Sequence, residues 1–118
     1  MKKITEQMST AFANGVDAKN GNDKVTIGEL LNTYQLHNNI IAMVCPTAKN
    51  ESKNLFISLC GFNTVTTRDR LNGIIKSMGL NARVFQKNFI PYLEVNGEII
   101  QMSKYGFHAV NKTKTEEV

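Results

Sequence analysis

The sequence predicts an α+β fold: an antiparallel meander/hairpin sheet of about five to six strands packed against one central helix at about 67–78. Three observations carry that prediction. Leu71, Ile74, Ile75 and Met78 recur at the i, i+3, i+4, i+7 spacing of one helix face, and Gly79 supplies a stop. Leu55-Phe56-Ile57-Ser58-Leu59-Cys60 alternates with the period of a half-buried strand. Asn96-Gly97 separates two apolar runs and is the strongest short hairpin signal in the chain. Strands, then a helix, then strands argue against a βαβ repeat.

With 118 residues, 42% apolar and 20% charged, the chain has the size and composition of one domain, which excludes a fully disordered chain and a coiled coil. Residues 1–24 read as a flexible or partly helical segment ahead of a single domain over 25–108, with 109–118 a disordered polar tail. Ile4, Met8 and Ala11 or Phe12 align on one side of a short helix that either docks or stays loose. The turn formers and charges of 17–24 read as a loop.

Thr26-Ile27-Gly28-Glu29 has capping-box form, so 26–31 reads as a helical turn or a strand. Strands follow at 32–37 and 40–45, joined by a tight turn at Asn38-Asn39 that sets Tyr34 and Leu36 beside Met43 and Ile41. The chain returns across the polar loop 46–54 into the strand 55–60. That antiparallel return holds Cys45 and Cys60 too far apart for a disulfide. The central helix starts near Thr66-Thr67. After it come a strand at 82–87 and the hairpin 92–102, with Pro91 opening an edge strand and Val95 opposite Glu98.

Several function classes lack their residues. No run approaches the ~20 apolar residues of a membrane helix. The first residues lack the apolar core of a secretory signal, which leads to the expectation of an intracellular protein. Cys45 and Cys60 lie outside any zinc-ligand spacing, and His37 and His108 have no partner at a spacing that metal or nucleophile chemistry uses. Asp17 to Glu29 is spelled somewhat like a calcium loop, but counting back from Glu29 puts Asp23 where the turn demands Gly. The expectation is a non-enzymatic protein without cofactor or metal.

The formal net charge is +4 and the isoelectric point about 9.2. Lys53, Arg68, Arg70, Lys76, Arg83 and Lys87 face Asp69 alone between residues 53 and 93, a local balance of +5 against −1 elsewhere. Two constellations fall in this stretch. At the helix start, Thr66, Thr67, Arg68 and Arg70 combine hydroxyls, unpaired N–H groups and guanidinium groups in a manner that holds an anion; ordinary capping, with Asp69 as the acidic partner, explains the same residues. In strand 82–87, alternation sets Arg83, Phe85 and Lys87 on one face, a ring between cations that suits a stacked base and its phosphates; Phe85 as a core residue is the plainer alternative. Together with Lys76 these residues form the candidate surface. DNA or RNA is the first partner class and an acidic host protein the second. The edge strand 98–102 carries little charge, leaving a homodimer open.

The segments Leu36-His37-Asn38-Asn39, Leu55-Phe56-Ile57-Ser58, Gly61-Phe62-Asn63-Thr64-Val65-Thr66-Thr67-Arg68-Asp69-Arg70-Leu71-Asn72-Gly73 and Val84-Phe85-Gln86-Lys87 resemble a group of small tailed-bacteriophage proteins. The shared run is Gly-aromatic-x-Thr-x-Thr-Thr-x-x-Arg-Leu-Asn, and the resemblance spans roughly residues 36–100. In the group the aromatic is often Trp, where this chain has Phe62. The resemblance implies a phage gene product acting in the bacterial host cytoplasm; in that setting the basic stretch suits a non-enzymatic accessory protein that contacts nucleic acid, with an inhibitor of a host defence or transcription protein as the alternative. It implies no reaction, cofactor or catalytic residue.

Overall fold

A computed structural model describes residues 1–46 and 55–110. The elements run α1 (Lys3–Asn14), β1 (Ala18–Asn20), β2 (Asp23–Ile27), β3 (Asn32–Leu36), β4 (Asn39–Val44), β5 (Leu55–Ile57), α2 (Val65–Ser77), β6 (Ala82–Lys87), β7 (Ile90–Val95), β8 (Glu98–Gln101) and β9 (His108–Val110). The fold is α+β, as expected. Its strands divide into a six-stranded antiparallel sheet ordered β1-β2-β3-β4-β5-β9 and a three-stranded sheet ordered β6-β7-β8. Helix α1 packs on α2 and on β1 to β3, while α2 touches both β4 and β6, so the helix pair ties the two sheets together.

The polar N-terminal segment is a structured part of the fold. Met8 and Phe12 on α1 are almost fully buried, and the Phe12 ring meets the Tyr34 ring edge-on at 6.1 Å. Residues 17–24, expected as a loop, contain β1 and the first two residues of β2. Asp17 Oδ1 accepts a hydrogen bond from the Ile27 N–H at 2.8 Å, and Asn20 and Asp23 pair across the tight turn at Gly21. These turn formers sit inside a hairpin.

No helix forms at 26–31. Val25 pairs with Tyr34 and Ile27 with Asn32, and the ladder outweighs the capping-box spelling. The Gly28 N–H donates to the Leu31 carbonyl at 3.1 Å and lies 3.3 Å from Asn32 Oδ1, closing a turn in which a Cβ on Gly28 would stand 2.7 Å from the Leu31 oxygen. Leu30 and Leu31 are left exposed.

The β3–β4 turn falls one residue earlier than expected. His37 and Asn38 hold the two positive φ angles, 52° and 67°, and Leu36 pairs with Asn39. A bulge then restores the inner face, because the pairing jumps from Gln35–Ile40 to Tyr34–Ala42 and lets both Ile41 and Ala42 be buried. Leu55, Ile57 and Leu59 are buried as the alternation predicts. No disulfide links Cys45 and Cys60, and the Cys60 Sγ lies 2.7 Å from the Ile40 carbonyl oxygen.

Helix α2 buries Leu71, Ile74 and Ile75 as its stripe predicts. Asn96-Gly97 makes the β7–β8 turn with φ of 51° and 88°, and Val95 pairs with Glu98 as expected. Ala109 and Val110, assigned to the tail, pair with β5, and Val110 is fully buried. The rest of the expected tail, 111–118, and most of the loop 46–54 lie outside the described residues.

A buried polar network joins the helices to the large sheet. Arg70 Nε donates to Asp23 Oδ2 at 2.6 Å, Tyr34 OH donates to the same oxygen at 2.5 Å, and Arg70 Nη1 donates to Thr5 Oγ1 at 2.6 Å. Thr5 in turn donates to Asp69 Oδ2 at 2.5 Å. The Arg70 and Asp23 side chains are only 7% and 2% exposed, so each charge depends on the other for its solvation. Burial first, and then the Asp23 carboxylate, push the Tyr34 phenol well above its ordinary value.

Two outcomes follow from this network. Replacing Arg70 by Ala leaves a buried carboxylate unpaired and should lower stability by about 3–5 kcal/mol in urea unfolding. The raised Tyr34 phenol contributes stability that is intact below the unfolded tyrosine value near 10 and is lost above it, by about 1.4 kcal/mol per pH unit. Unfolding midpoints followed from pH 9 to 11 should therefore fall for the native chain, with a shallower fall in Tyr34→Phe.

Candidate nucleic-acid interface

The predicted residues part company once they are placed. Arg70, expected on the surface, points inward to Asp23 and is unavailable to a partner. The reason is helical geometry: Arg68 and Arg70 are two residues apart, which turns their side chains by about 200° around the axis. Arg68 faces outward, and Lys76 is exposed in the last turn of α2, about 12 Å farther along at 1.5 Å per residue.

Capping is realised at the helix start, with Thr64 rather than Thr66 as the cap. Thr64 Oγ1 accepts the Thr67 N–H at 3.1 Å and lies 3.0 Å from the Thr67 hydroxyl. Asp69 therefore falls beyond the first turn and pairs with Thr5. Thr66 and Thr67 line a cleft of about 330 Å³ whose floor is Leu36, Ile41 and Leu59 and whose rim includes His37 and Phe62.

Strand β6 brings Arg83 and Phe85 together as alternation requires. The Arg83 guanidinium sits 4.4 Å from the Phe85 ring centroid, and Phe85 stacks on Tyr92 at 5.5 Å. Phe85 is only half-buried, so it is not a core side chain. Val84, on the other face of the strand, is the buried residue. Arg83 Nε, however, is held 2.8 Å from Glu94 Oε1, which offsets its charge. Lys87 is exposed at the end of the strand.

Beyond Lys87 lies a surface that the sequence reading passed over. Asn88 and Phe89 form the two-residue β6–β7 turn, both at positive φ, 53° and 67°, and the Phe89 ring is 87% exposed. Asn63 fixes this tip: its Nδ2 lies 3.2 Å from Gln86 Oε1 and 3.3 Å from the Phe89 carbonyl, while its Oδ1 accepts from Arg68. Arg68 Nη1 also reaches Gln86 Oε1 at 3.3 Å.

The loop after β8 closes the other side. The Gly61 N–H donates to the Lys104 carbonyl at 2.7 Å, and the Tyr105 ring lies against Gly61, whose φ of 85° and missing Cβ both suit glycine; a Cβ there would fall 2.6 Å from the ring. His108 Nε2 accepts the Ser103 N–H at 3.0 Å and holds this loop. His37 is exposed.

Three segments thus meet around a cleft of about 390 Å³ lined by Gly61, Asn63, Phe89, Pro91 and Lys104 among others. Residues 60–68, 86–91 and 101–108 contain Arg68, Lys87 and Lys104 and no carboxylate. Phe62, Phe89 and Tyr105 are 54%, 87% and 68% exposed. Lys104 Nζ sits 5.5 Å from the Tyr105 ring centroid. A usable signal was present in the sequence: Asn88-Phe89 between two runs of strand formers is a turn spelled with an aromatic where glycine is usual.

Among the described residues no group of three or more His, Cys, Asp or Glu side chains could hold a metal ion, and no helix is long and apolar enough to cross a membrane. The chain is a small α+β protein with exposed rings and cations on the loops around this cleft. It belongs to the Kyanoviridae Gp96 protein family, a phage family whose profile matches residues 1–114. That match agrees with the resemblance to phage proteins and extends over α1, β1 and β2, outside the span of the shared motif. No curated protein and no solved structure matches the chain.

Replacing Asn63 by Ala removes the side chain that ties the β6–β7 tip to the helix start. Stability should fall by about 1 kcal/mol, and amide hydrogen exchange at Asn88, Phe89 and Ile90 should speed up, with β2 and β3 unchanged.

Proposed function

We propose that this chain is a non-enzymatic phage accessory protein that binds single-stranded nucleic acid in the host cytoplasm through the end of the molecule formed by Phe62, Phe89 and Tyr105 with Arg68, Lys87 and Lys104. The observation that supports this reading best is a cleft lined by Phe89 and Lys104 between three carboxylate-free loops that also carry the exposed rings of Phe62 and Tyr105 and the cations Arg68 and Lys87. Exposed rings offer stacking platforms for unpaired bases, and cations spaced among them hold the intervening phosphates. Rings projecting from loops suit a flexible single strand better than a duplex groove, which admits a helix or a two-stranded ribbon.

The reading keeps Arg68 and Lys87 from the expected surface, replaces Arg70, and leaves Arg83 and Phe85 on the flank as a ring already stacked and a charge already paired. A host protein with an acidic face is the second reading. It is favoured by Val65, 71% exposed beside Arg68 in the first turn of α2, where an aliphatic side chain serves a protein contact better than a phosphate.

Fluorescence anisotropy with a labelled single-stranded oligonucleotide separates the two. Binding should weaken steeply as salt rises, and Phe89→Ala and Tyr105→Ala should each lose roughly 1–3 kcal/mol of affinity, with Lys87→Ala and Lys104→Ala reducing the salt dependence. No binding at low salt, or binding indifferent to both ring substitutions, overturns the reading.

A further inference from the structure

We propose that strand β8 is a self-association edge, and that two copies of the chain join antiparallel through it, about Ile100, into one continuous six-stranded sheet. The small sheet has two edges, and they are treated differently. At the β6 edge the outward-facing backbone of Val84 is already satisfied: its N–H donates to Asn72 Oδ1 at 2.7 Å, and its carbonyl accepts from Asn72 Nδ2 at 2.9 Å. A carboxamide from α2 thus occupies the place of a neighbouring strand. The large sheet ends in β1 and β9, three residues each, with Lys19 on β1, and short or lysine-bearing edges discourage pairing. Strand β8 has none of these protections. It is exposed at all four residues, and Ile99 and Ile100 are 55% and 43% exposed, one on each face of the sheet.

The hydrogen-bond phase of β8 fixes the register. In an antiparallel hairpin the bonded pairs alternate, so with Val95 and Glu98 flanking the turn, the groups of Glu98, Ile100 and Met102 point toward β7, as the Met102 N–H to Pro91 carbonyl bond of 3.0 Å confirms. The N–H and C=O groups of Ile99 and Gln101 then point outward. Pairing Ile99 with the second copy's Gln101, and the reverse, satisfies both residues at once and sets the two Ile100 side chains opposite each other on a two-fold axis. The strand is self-complementary in charge as well: Glu98 falls opposite the second copy's Met102 rather than a second carboxylate.

Sedimentation equilibrium on the full chain, with no nucleic acid present, tests the proposal. The native protein should shift with concentration from 13.2 kDa toward twice that mass. Ile99→Pro removes an outward N–H while leaving the β7–β8 ladder intact, and should hold the protein at the monomer mass with unchanged circular dichroism. Ile100→Lys and Ile100→Asp should each be monomeric alone and recover the dimer mass when mixed. A native chain that stays monomeric throughout, or a dimer that survives Ile99→Pro, overturns the proposal; failure of the mixed pair to recover overturns pairing about Ile100.

Discussion

The Asp23–Arg70 ion pair is the contact on which the rest of the arrangement depends. Asp23 opens β2, Arg70 sits midway along α2, and the guanidinium also reaches Thr5 of α1, so one buried group orients both helices and the large sheet. Apolar burial is not directional, so a slide or rotation of the helix pair on the sheet is opposed there only by the fit of the packed side chains. A guanidinium with fixed donor directions, sealed from water, does not tolerate such a shift. Since α2 also carries the backbone of β6 through Asn72, the position of the small sheet is set, at one remove, by the same pair.

That chain of dependence explains the location of the exposed rings. The end of the molecule is assembled from loops that have no packed core of their own: the turn after β6, the link from β5 to α2, and the link from β8 to β9. Each is held by polar ties to its neighbours, through Asn63, Gly61 and His108. Rings and cations can then remain in solvent without collapsing onto the interior.

Legibility from sequence followed the range of the determining interaction. Strand β5, the Asn96-Gly97 hairpin and the apolar stripe of α2 are set by neighbours within a few residues, and their spelling shows it. The phage affiliation that the resemblance implied agrees with the family match over residues 1–114. Arg70 was not legible as a buried residue, because its partner lies 47 positions away in a segment that looks like a polar loop. The helix around Ile4 to Phe12 was legible from its spacing, but its docking was not, because Met8 and Phe12 acquire a face to bury only when β2, β3 and α2 are already in place. At 26–31 two local signals competed, and the one supported by cross-strand partners prevailed. The ring-bearing loops were overlooked because charge was read along the chain, whereas Lys104 and Tyr105 meet Gly61 and Asn63 only in space.

Phe89 occupies a left-handed turn position that asparagine or glycine fills at less conformational expense. A large aromatic there, nearly bare to solvent, gains almost no burial in return. Folding and exposure therefore pull in opposite directions at this one residue. Selection for robustness alone would replace it, and a chain that drifted without need of the ring should soon carry a glycine in its place. The residue is thus a marker by which relatives that keep the same surface can be told from those that retain only the fold.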